Sequence, residues 1–107
     1  MGRSPSHHAL LILASLGEAP RHGYAIKKDV EQRTGGDVRL GSTSLYRLLA
    51  QLLDDGFIVE APASTDEDER RRTYRITPAG RRALQDELGR LERVLRAARA
   101  VPGRRPS

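Results

Sequence analysis

The sequence lacks cysteine and tryptophan, and it is poor in other aromatic residues, with one Phe and three Tyr. Without cysteine, neither a disulfide framework nor a thiolate metal site is possible. The core must therefore be built from Leu, Ile, Val and Ala. In 107 residues this gives a thin core, and thin cores are commonly supported by oligomerisation.

Long hydrophobic runs and catalytic clusters are also missing. The apolar run at residues 9–16 is too short to span a bilayer and has no small-residue cleavage site after it. We therefore expect a cytoplasmic protein with no membrane partner. Asp54 and Asp55 have no His, Ser or Cys beside them, and the adjacent His7 and His8 would point about 100° apart on a helix. These observations predict no enzyme activity, no cofactor and no metal site.

The charge is unevenly distributed. The net charge is +5, and residues 1–60 carry seven basic and seven acidic side chains, whereas residues 61–107 carry twelve Arg and seven acids. A basic balance favours a nucleic-acid partner, although it also serves plain solubility.

Residues 41–56 are the segment around which the chain is organised. Five leucines recur at i, i+3, i+4, i+7 and i+8, which predicts a helix with one buried side: Leu45, Leu48, Leu49, Leu52 and Leu53. Ser42 and Thr43 are predicted to cap its first turn. Gly56 is predicted to end it in the left-handed conformation.

The other side of this helix is polar and has no acid before Asp54. Ser42, Thr43, Ser44 and Arg47 lie there, with Tyr46 at the edge of the leucine stripe. The N-terminal half can therefore approach a polyanion, which is the polarity of a recognition helix. The alternative is an ordinary amphipathic core helix.

Two helices and two strands are predicted around this segment. The first helix is capped by Ser6 and ends at Gly17, and the second begins near residues 21–24 and ends at 34–36, with Tyr24 a candidate for its inward side. Residues 38–40 are predicted to be β-like. Strands are predicted at 57–61 and 73–77, joined by a charged loop at 64–72. Three helices followed by a hairpin form a winged helix-turn-helix.

The last helix begins at Thr77 and Pro78, a cap followed by a proline at the first helical position. Apolar residues then follow a heptad pattern that is typical of a coiled-coil seam and predicts a homodimer: Leu84, Leu88, Leu91, Leu95 and Ala98. A monomeric helix folded back on its own domain is the alternative.

These segments resemble the PadR family of bacterial transcriptional regulators. The similar stretches are LLILASL at 10–16, HGYAI at 22–26, GSTSLYRLL at 41–49, DGFI at 55–58 and RRTYRITPAG at 71–80. The resemblance implies a winged-helix DNA-binding domain, a dimer made by the C-terminal helix, and release of DNA by a small molecule in many members. Two departures are that the family often has Pro-Gly-Thr where this chain has Ser42, Thr43 and Ser44, and that some drug-sensing members use a Trp that is absent here.

The candidate contacts to double-stranded DNA fall into three groups. The first group lies on the central helix and suits the major groove: Ser42, Thr43, Ser44 and Arg47. On the same helix, Tyr46 suits contact with a phosphate or packing against the second helix. The second group lies at a helix start: His22, Gly23, Tyr24 and Lys27. Its free N–H groups favour binding of a DNA phosphate. The alternative is structural, with Gly23 only allowing close helix packing. The third is Arg71 and Arg72 of the wing, unless they pair with the loop acids at 66–69.

The sequence therefore predicts a mainly α fold with a small β-hairpin. We expect a winged helix-turn-helix domain at 1–77, a dimerisation helix at 78–101 and a flexible tail at 102–107. The favoured function is a dimeric repressor that binds a palindromic operator and responds to a small-molecule effector. The alternative is a winged-helix module for protein–protein contact, and the acids at 66–69 are the feature that most supports it.

Overall fold

The computed structural model describes residues 5–61 and 72–102. Along these residues the elements are α1 (His7–Glu18), β1 (Arg21–His22), α2 (Gly23–Arg33), α3 (Ser42–Asp54), β2 (Ile58–Ala61), β3 (Thr73–Ile76) and α4 (Pro78–Arg99). β3 lies between β1 and β2 in an antiparallel sheet. The predicted mainly α fold with a β-hairpin is confirmed, and β1 adds a third strand to the hairpin.

β1 lies directly before the second helix, within the range of residues 21–24 where that helix was predicted to begin. Arg21 pairs with Tyr74 and His22 pairs with Thr73. His22 has extended backbone and is the N-cap of α2, so the helix begins only at Gly23. The start of α2 thus lies within the predicted range of 21–24, whereas β1 was not predicted, because a two-residue strand is too short to show alternation and is formed by its partner β3.

α1 begins as predicted, since the Ser6 hydroxyl accepts a hydrogen bond from the N–H of Ala9 at 3.2 Å. It continues through Glu18 rather than ending at Gly17. Gly17 lies where α1 passes α4, and a Cβ placed there would make an ordinary contact of 3.7 Å with Leu84 Cδ2.

The buried side of α3 is formed by four of the five predicted leucines, Leu45, Leu48, Leu49 and Leu52, while Leu53 packs only partly buried against the core. Its end is also as predicted: Gly56 has a φ of 78°, and its N–H donates to the Leu53 carbonyl at 3.1 Å. The N–H of Phe57 donates to the Leu52 carbonyl at 3.0 Å. These two bonds form a Schellman motif, which turns the chain sharply into β2.

Two local predictions around the start of α3 were wrong. Gly41 is the N-cap of α3, so neither Ser42 nor Thr43 caps the helix. Within residues 5–61, no strand occurs at 38–40. This segment is held locally instead, because the N–H of Val38 donates to the Thr34 hydroxyl at 3.0 Å and the Leu40 side chain is buried.

α4 is fixed to the domain at its beginning. The Thr77 hydroxyl donates to the Gly56 carbonyl at 2.7 Å and accepts from the N–H of Gly80 at 3.0 Å. At Gly80 the helix passes so close to the preceding turn that an added Cβ would lie 2.1 Å from the Phe57 carbonyl oxygen. The first half of α4 therefore packs on α1 and β3, where Leu84 joins the hydrophobic core.

Candidate nucleic-acid interface

α2 and α3 meet where Tyr46 lies over Gly23. A Cβ placed on Gly23 would lie 2.5 Å from Tyr46 Oη and 3.0 Å from Tyr46 Cζ, so a larger residue would have to displace this ring. Tyr46 remains half exposed. Close packing at Gly23, the structural alternative of the sequence analysis, is therefore what the geometry shows. The contact places the start of α2 beside the first two turns of α3.

The start of α2 presents Tyr24 to solvent. Tyr24 is 62% exposed, and the expectation that it faces inward was wrong. The buried side is formed by Gly23, Ile26 and Val30, a spacing that turns residue 24 outward. Lys28 Nζ lies 5.8 Å from the centre of the Tyr24 ring, within the range of a cation–π contact.

His22 has a structural role at this helix start. Its Nδ1 accepts a hydrogen bond from the N–H of Ala25 at 3.4 Å. The N–H of Ala25 is therefore already hydrogen-bonded and does not face an anion. A phosphate at this helix start would have to bind the remaining free N–H groups of the first turn. Lys27, half-buried on the next turn, lies on the same edge of α2 as Tyr24.

The outer side of α3 separates polar donors from acids. Ser42, Thr43 and Arg47 are exposed at the N-terminal end and Ser44 is half-buried. Asp54, at the other end, lies about 10 Å further along the helix axis than Arg47. The N-terminal half can therefore approach a phosphate backbone while the acids stay at a distance.

The described part of the wing contains one ion pair across its strands. Arg72 Nη1 lies 2.8 Å from Glu60 Oε2 of β2. Burial raises the pKa of the Tyr74 hydroxyl, and the Glu60 carboxylate opposite it in the sheet raises it further. Arg71, Pro62 and the acids at 66–69 lie outside the described residues, so the predicted wing contact with DNA stays a prediction.

An ion-pair cluster that the sequence analysis missed holds α1, β1 and α2 together. Arg21 Nε donates to the Ser15 carbonyl at 3.2 Å, and Arg21 Nη2 donates to Glu18 at 2.9 Å. Arg33 donates to Asp29 at 2.8 and 3.0 Å and to Glu18 at 3.0 Å. The Asp29 and Arg33 pair is spaced i, i+4 on a helix and could have been found from that signal. The cluster as a whole could not, because Arg21 joins partners from two different helices, Ser15 and Glu18 of α1 and Asp29 of α2.

The electrostatics of Asp29 follow from this cluster. Burial alone would raise the pKa of Asp29, but the hydrogen bonds from Arg33 and the charges of Arg33 and Arg21 outweigh it, so the pKa is lowered. The same pairing raises the pKa of Arg33. The carboxylate is thus the stable form, and it anchors the middle of α2 to the segment that enters β1.

The predicted dimer seam on α4 divides into two parts. Leu84 is 8% exposed and belongs to the core of its own chain, and Leu91 packs against that core in part. Leu88 and Leu95 are 40% and 49% exposed, and Ala98 is exposed on the same side. The dimer interface stays a prediction, and in the chain alone its exposed part is the second half of α4.

Across residues 5–61 and 72–102, no group of three or more His, Asp or Glu side chains is arranged to hold a metal ion. Among the described helices, none combines the length and the apolar character needed to cross a membrane.

The fold and the polar face of α3 define a winged-helix protein of the helix-turn-helix class. Residues 12–86 match the model of the PadR-like family of transcriptional regulators. The chain therefore belongs to the PadR-like family, whose members are transcriptional regulators rather than enzymes.

Solved structures and a curated relative agree with this assignment. A transcriptional regulator from Clostridium thermocellum has 28% identity and a TM-score of 0.77, over 88% of this chain and 91% of that one. Bacillus subtilis PadR, solved in complex with operator DNA, shares the fold at 24% identity and a TM-score of 0.68, over 77% of this chain and 46% of that one. A 37.1 kDa protein of transposon TN4556 from Streptomyces fradiae is 38% identical over 85 residues. These cover 79% of this chain, which spans only 23% of the length of that relative.

Proposed function

We propose that this chain is a homodimeric transcriptional repressor that binds a palindromic operator in double-stranded DNA. The observation that carries the proposal is the exposed N-terminal half of α3, which presents Arg47, Ser42 and Thr43 with its acids at the far end. A helix of this polarity enters the major groove by its first turns. The operator complex of Bacillus subtilis PadR, a protein of the same fold, supports the proposal.

Each candidate residue has a role that fits its exposure. Arg47 is suited to the two acceptors on guanine, and the hydroxyls of Ser42, Thr43 and Ser44 suit either a base or a phosphate. The start of α2, with Tyr24 and Lys27, suits the phosphate backbone beside the groove. The half-exposed Tyr46 can offer its hydroxyl to the same backbone, and Arg71 and Arg72 would extend the contact through the wing.

Dimerisation is the second part of the proposal. Leu88, Val94 and Leu95 are exposed on the second half of α4, and a second copy of the helix would bury them. The thin core supports this, because small domains gain stability from association. A two-fold dimer would place its two α3 helices roughly 34 Å apart, one turn of DNA.

An effector would act through this dimer. We place it between the last helix of one protomer and the first helix of the other. A cleft of about 200 Å³ beside the start of α1, with Ala9 and Leu52 in its wall, supports space for a small molecule on that side. A ligand releases DNA only if it binds two dimer arrangements unequally.

The test is DNA binding at two salt concentrations. Fluorescence anisotropy would follow a labelled duplex from just upstream of the protein's own gene, with a random duplex as competitor. A repressor of its own gene binds that duplex at nanomolar protein, prefers it to the competitor, and loses roughly a thousandfold or more in affinity between about 50 and 200 mM salt.

Weak, equal binding to both duplexes would contradict an operator at that location. Weak binding that does not depend on salt would contradict DNA binding altogether. That result would favour the alternative function, a winged-helix module for protein–protein contact. The acids at 66–69, the sequence feature that supports this alternative, lie outside the described residues.

A further inference from the structure

Arg39 is an exposed cation in the turn between α2 and α3, three residues before α3 begins. Its side chain is 72% exposed, and its Nε lies 3.4 Å from Glu31 Oε2 on the last turn of α2. The predicted DNA contacts do not include either residue. Arg39 and Glu31 nevertheless lie beside the start of α3, the helix that carries the proposed DNA interface.

The backbone of the turn holds Arg39 outward. Val38 is fixed by its hydrogen bond to the Thr34 hydroxyl, and the Leu40 side chain is buried in the core. Val38 packs against the core and Leu40 lies in it, while Arg39 between them is exposed and faces away from the core. The outward direction is therefore set by the packing of its neighbours.

Glu31 lies on the edge of α2 that would face the phosphates. Tyr24, Lys27, Lys28 and Glu31 are spaced i, i+3, i+4 and i+7, which places them along one side of the helix. A carboxylate at this position would repel a phosphate backbone. The guanidinium of Arg39 offsets that charge and extends the line of cations from α2 towards the first turn of α3.

The pair itself contributes little to folding. It is a single contact of 3.4 Å between the exposed Arg39 and the half-buried Glu31, and such surface pairs are worth little in water. Arginine also carries five N–H donors, so a contact through Nε is compatible with a further acceptor. Stability does not explain the pair, whereas a role at the interface does.

We propose that Arg39 contacts a DNA phosphate at the edge of the groove entered by α3, and that Glu31 holds its guanidinium over that edge. This inference rests on the proposed function. The competing explanation is that Arg39 only neutralises Glu31 and does not itself touch DNA.

A double-mutant series separates the two explanations. Wild type, Glu31→Gln, Arg39→Gln and the double variant would be titrated with the upstream duplex and with a random duplex across a salt series. Glu31→Gln removes the charge that Arg39 would neutralise, so the informative comparison is Glu31→Gln against the double variant. Arg82→Gln is the matched control, because Arg82 is an exposed arginine on the first turns of α4.

A phosphate contact predicts four results. The double variant binds roughly tenfold more weakly than Glu31→Gln at low salt, the effect of losing one charge-assisted hydrogen bond. The slope of log K against log salt falls in magnitude by about 1, and both duplexes weaken by the same factor. Arg39→Lys keeps most of the slope because it keeps the charge.

Equal affinity and equal slope for Glu31→Gln and the double variant would overturn the inference, as would an equal loss of slope in Arg82→Gln. Thermal unfolding of each variant should match wild type, which shows that lost binding is not lost folding. If wild type itself binds neither duplex in a salt-dependent way, the proposed function fails and the inference fails with it. If wild type binds and the Arg39 variants do not differ, only the inference fails.

Discussion

α3 and α4 carry the same kind of leucine pattern and use it differently. The stripe of α3 is buried in its own chain, and Leu49 is 1% exposed. On α4 only Leu84 reaches the core fully, while Leu95 is 49% exposed. α3 therefore offers its polar side to solvent, whereas the second half of α4 offers its apolar side.

The difference comes from the neighbours that each helix has. α3 is covered by α1 and α2 and is followed directly by β2, so its own chain buries four of the five leucines of its stripe. α4 packs where it crosses α1 and β3 and beside the turn at Phe57, and from residue 92 to its end at Arg99 its side chains are exposed. A periodic leucine pattern thus indicates that a face must be buried, and the tertiary structure decides whether its own chain buries it.

The most severe way to break α3 is Leu49→Ala. The side chain is enclosed in the core, so its truncation leaves a cavity and should lower the free energy of unfolding by about 4 kcal/mol. Urea denaturation followed by circular dichroism measures this. A loss below about 1 kcal/mol would show that the stripe is not packed as described.

The attachment of α4 can be tested at Gly80. An alanine there would place Cβ 2.1 Å from the Phe57 carbonyl oxygen and 2.8 Å from Ile76 Cγ1, and overpacking of this kind costs about 3 kcal/mol. Gly89→Ala is the control in the same helix. Its Cβ would meet only the Arg93 side-chain end at 3.6 Å, so it should gain roughly 0.5–1 kcal/mol from helix propensity. Equal effects of the two variants in urea denaturation would contradict the close approach at Gly80.

Arg47→Ala tests the polar side of α3. We expect specific DNA binding to weaken by roughly 1–3 kcal/mol, about 2 kcal/mol as a central value, with discrimination relaxed at one base pair. Unfolding should change by less than about 0.5 kcal/mol because the side chain is exposed. Anisotropy titrations measure the DNA affinity of both Arg47→Ala and Arg82→Ala. Both variants lose one positive charge, so a difference between their affinities comes from where the arginine lies. Unchanged affinity for the upstream duplex would remove Arg47 from the interface.

Asp29→Asn tests how α2 is held beside α3. The pKa of Asp29 lies below its ordinary value near 3.8, so the charged form stabilises the folded state. That contribution is complete above about pH 4 and disappears as the pH falls through the lowered pKa. The variant should be less stable by roughly 1 kcal/mol at neutral pH, the upper end for a partly exposed pair.

The same variant has a signature in acid. Unfolding experiments from pH 7 to pH 2 should show the difference from wild type shrinking below about pH 4. A difference that stays constant through that range would mean that the carboxylate charge does not matter and that the loss comes from packing.

Leu95→Ala should have the smallest effect on the unfolding of the protomer, less than about 0.5 kcal/mol, because half of the side chain is already exposed. The main effect of Leu95→Ala should be on dimerisation. Sedimentation velocity across a concentration series should show a dimer that dissociates at higher protein concentration than wild type does. An unchanged association constant would place the dimer contact elsewhere.

Prediction from sequence succeeded where a pattern and its end signals agreed. The leucine stripe and Gly56 defined α3, and Thr77 with Pro78 located the start of α4. It failed where a partner decides the conformation. Residues 21 and 22 are a strand only because β3 lies beside them. Tyr24 is turned outward by the burial of Gly23, a residue with no side chain to show in an apolar pattern.

The candidate site was predictable in part for the same reason. The face that carries Arg47 follows from the stripe on the opposite side of α3. Arg21 and Arg39 do not follow, because their partners are brought near by the fold. Heptad spacing could not distinguish Leu84 from Leu95, since both positions satisfy it and only the path of α4 past α1 separates them.

The glycine N-cap of α3 has a consequence for how such a protein can change over evolutionary time. Because Gly41 begins the helix and Ser42, Thr43 and Arg47 are exposed, folding places little demand on the identity of these three side chains. Tyr46, by contrast, is matched to the space above Gly23. Under the proposed function, target preference can therefore diverge at three positions while the scaffold stays constant. Exchanging those three residues between relatives should transfer operator choice without a loss of stability.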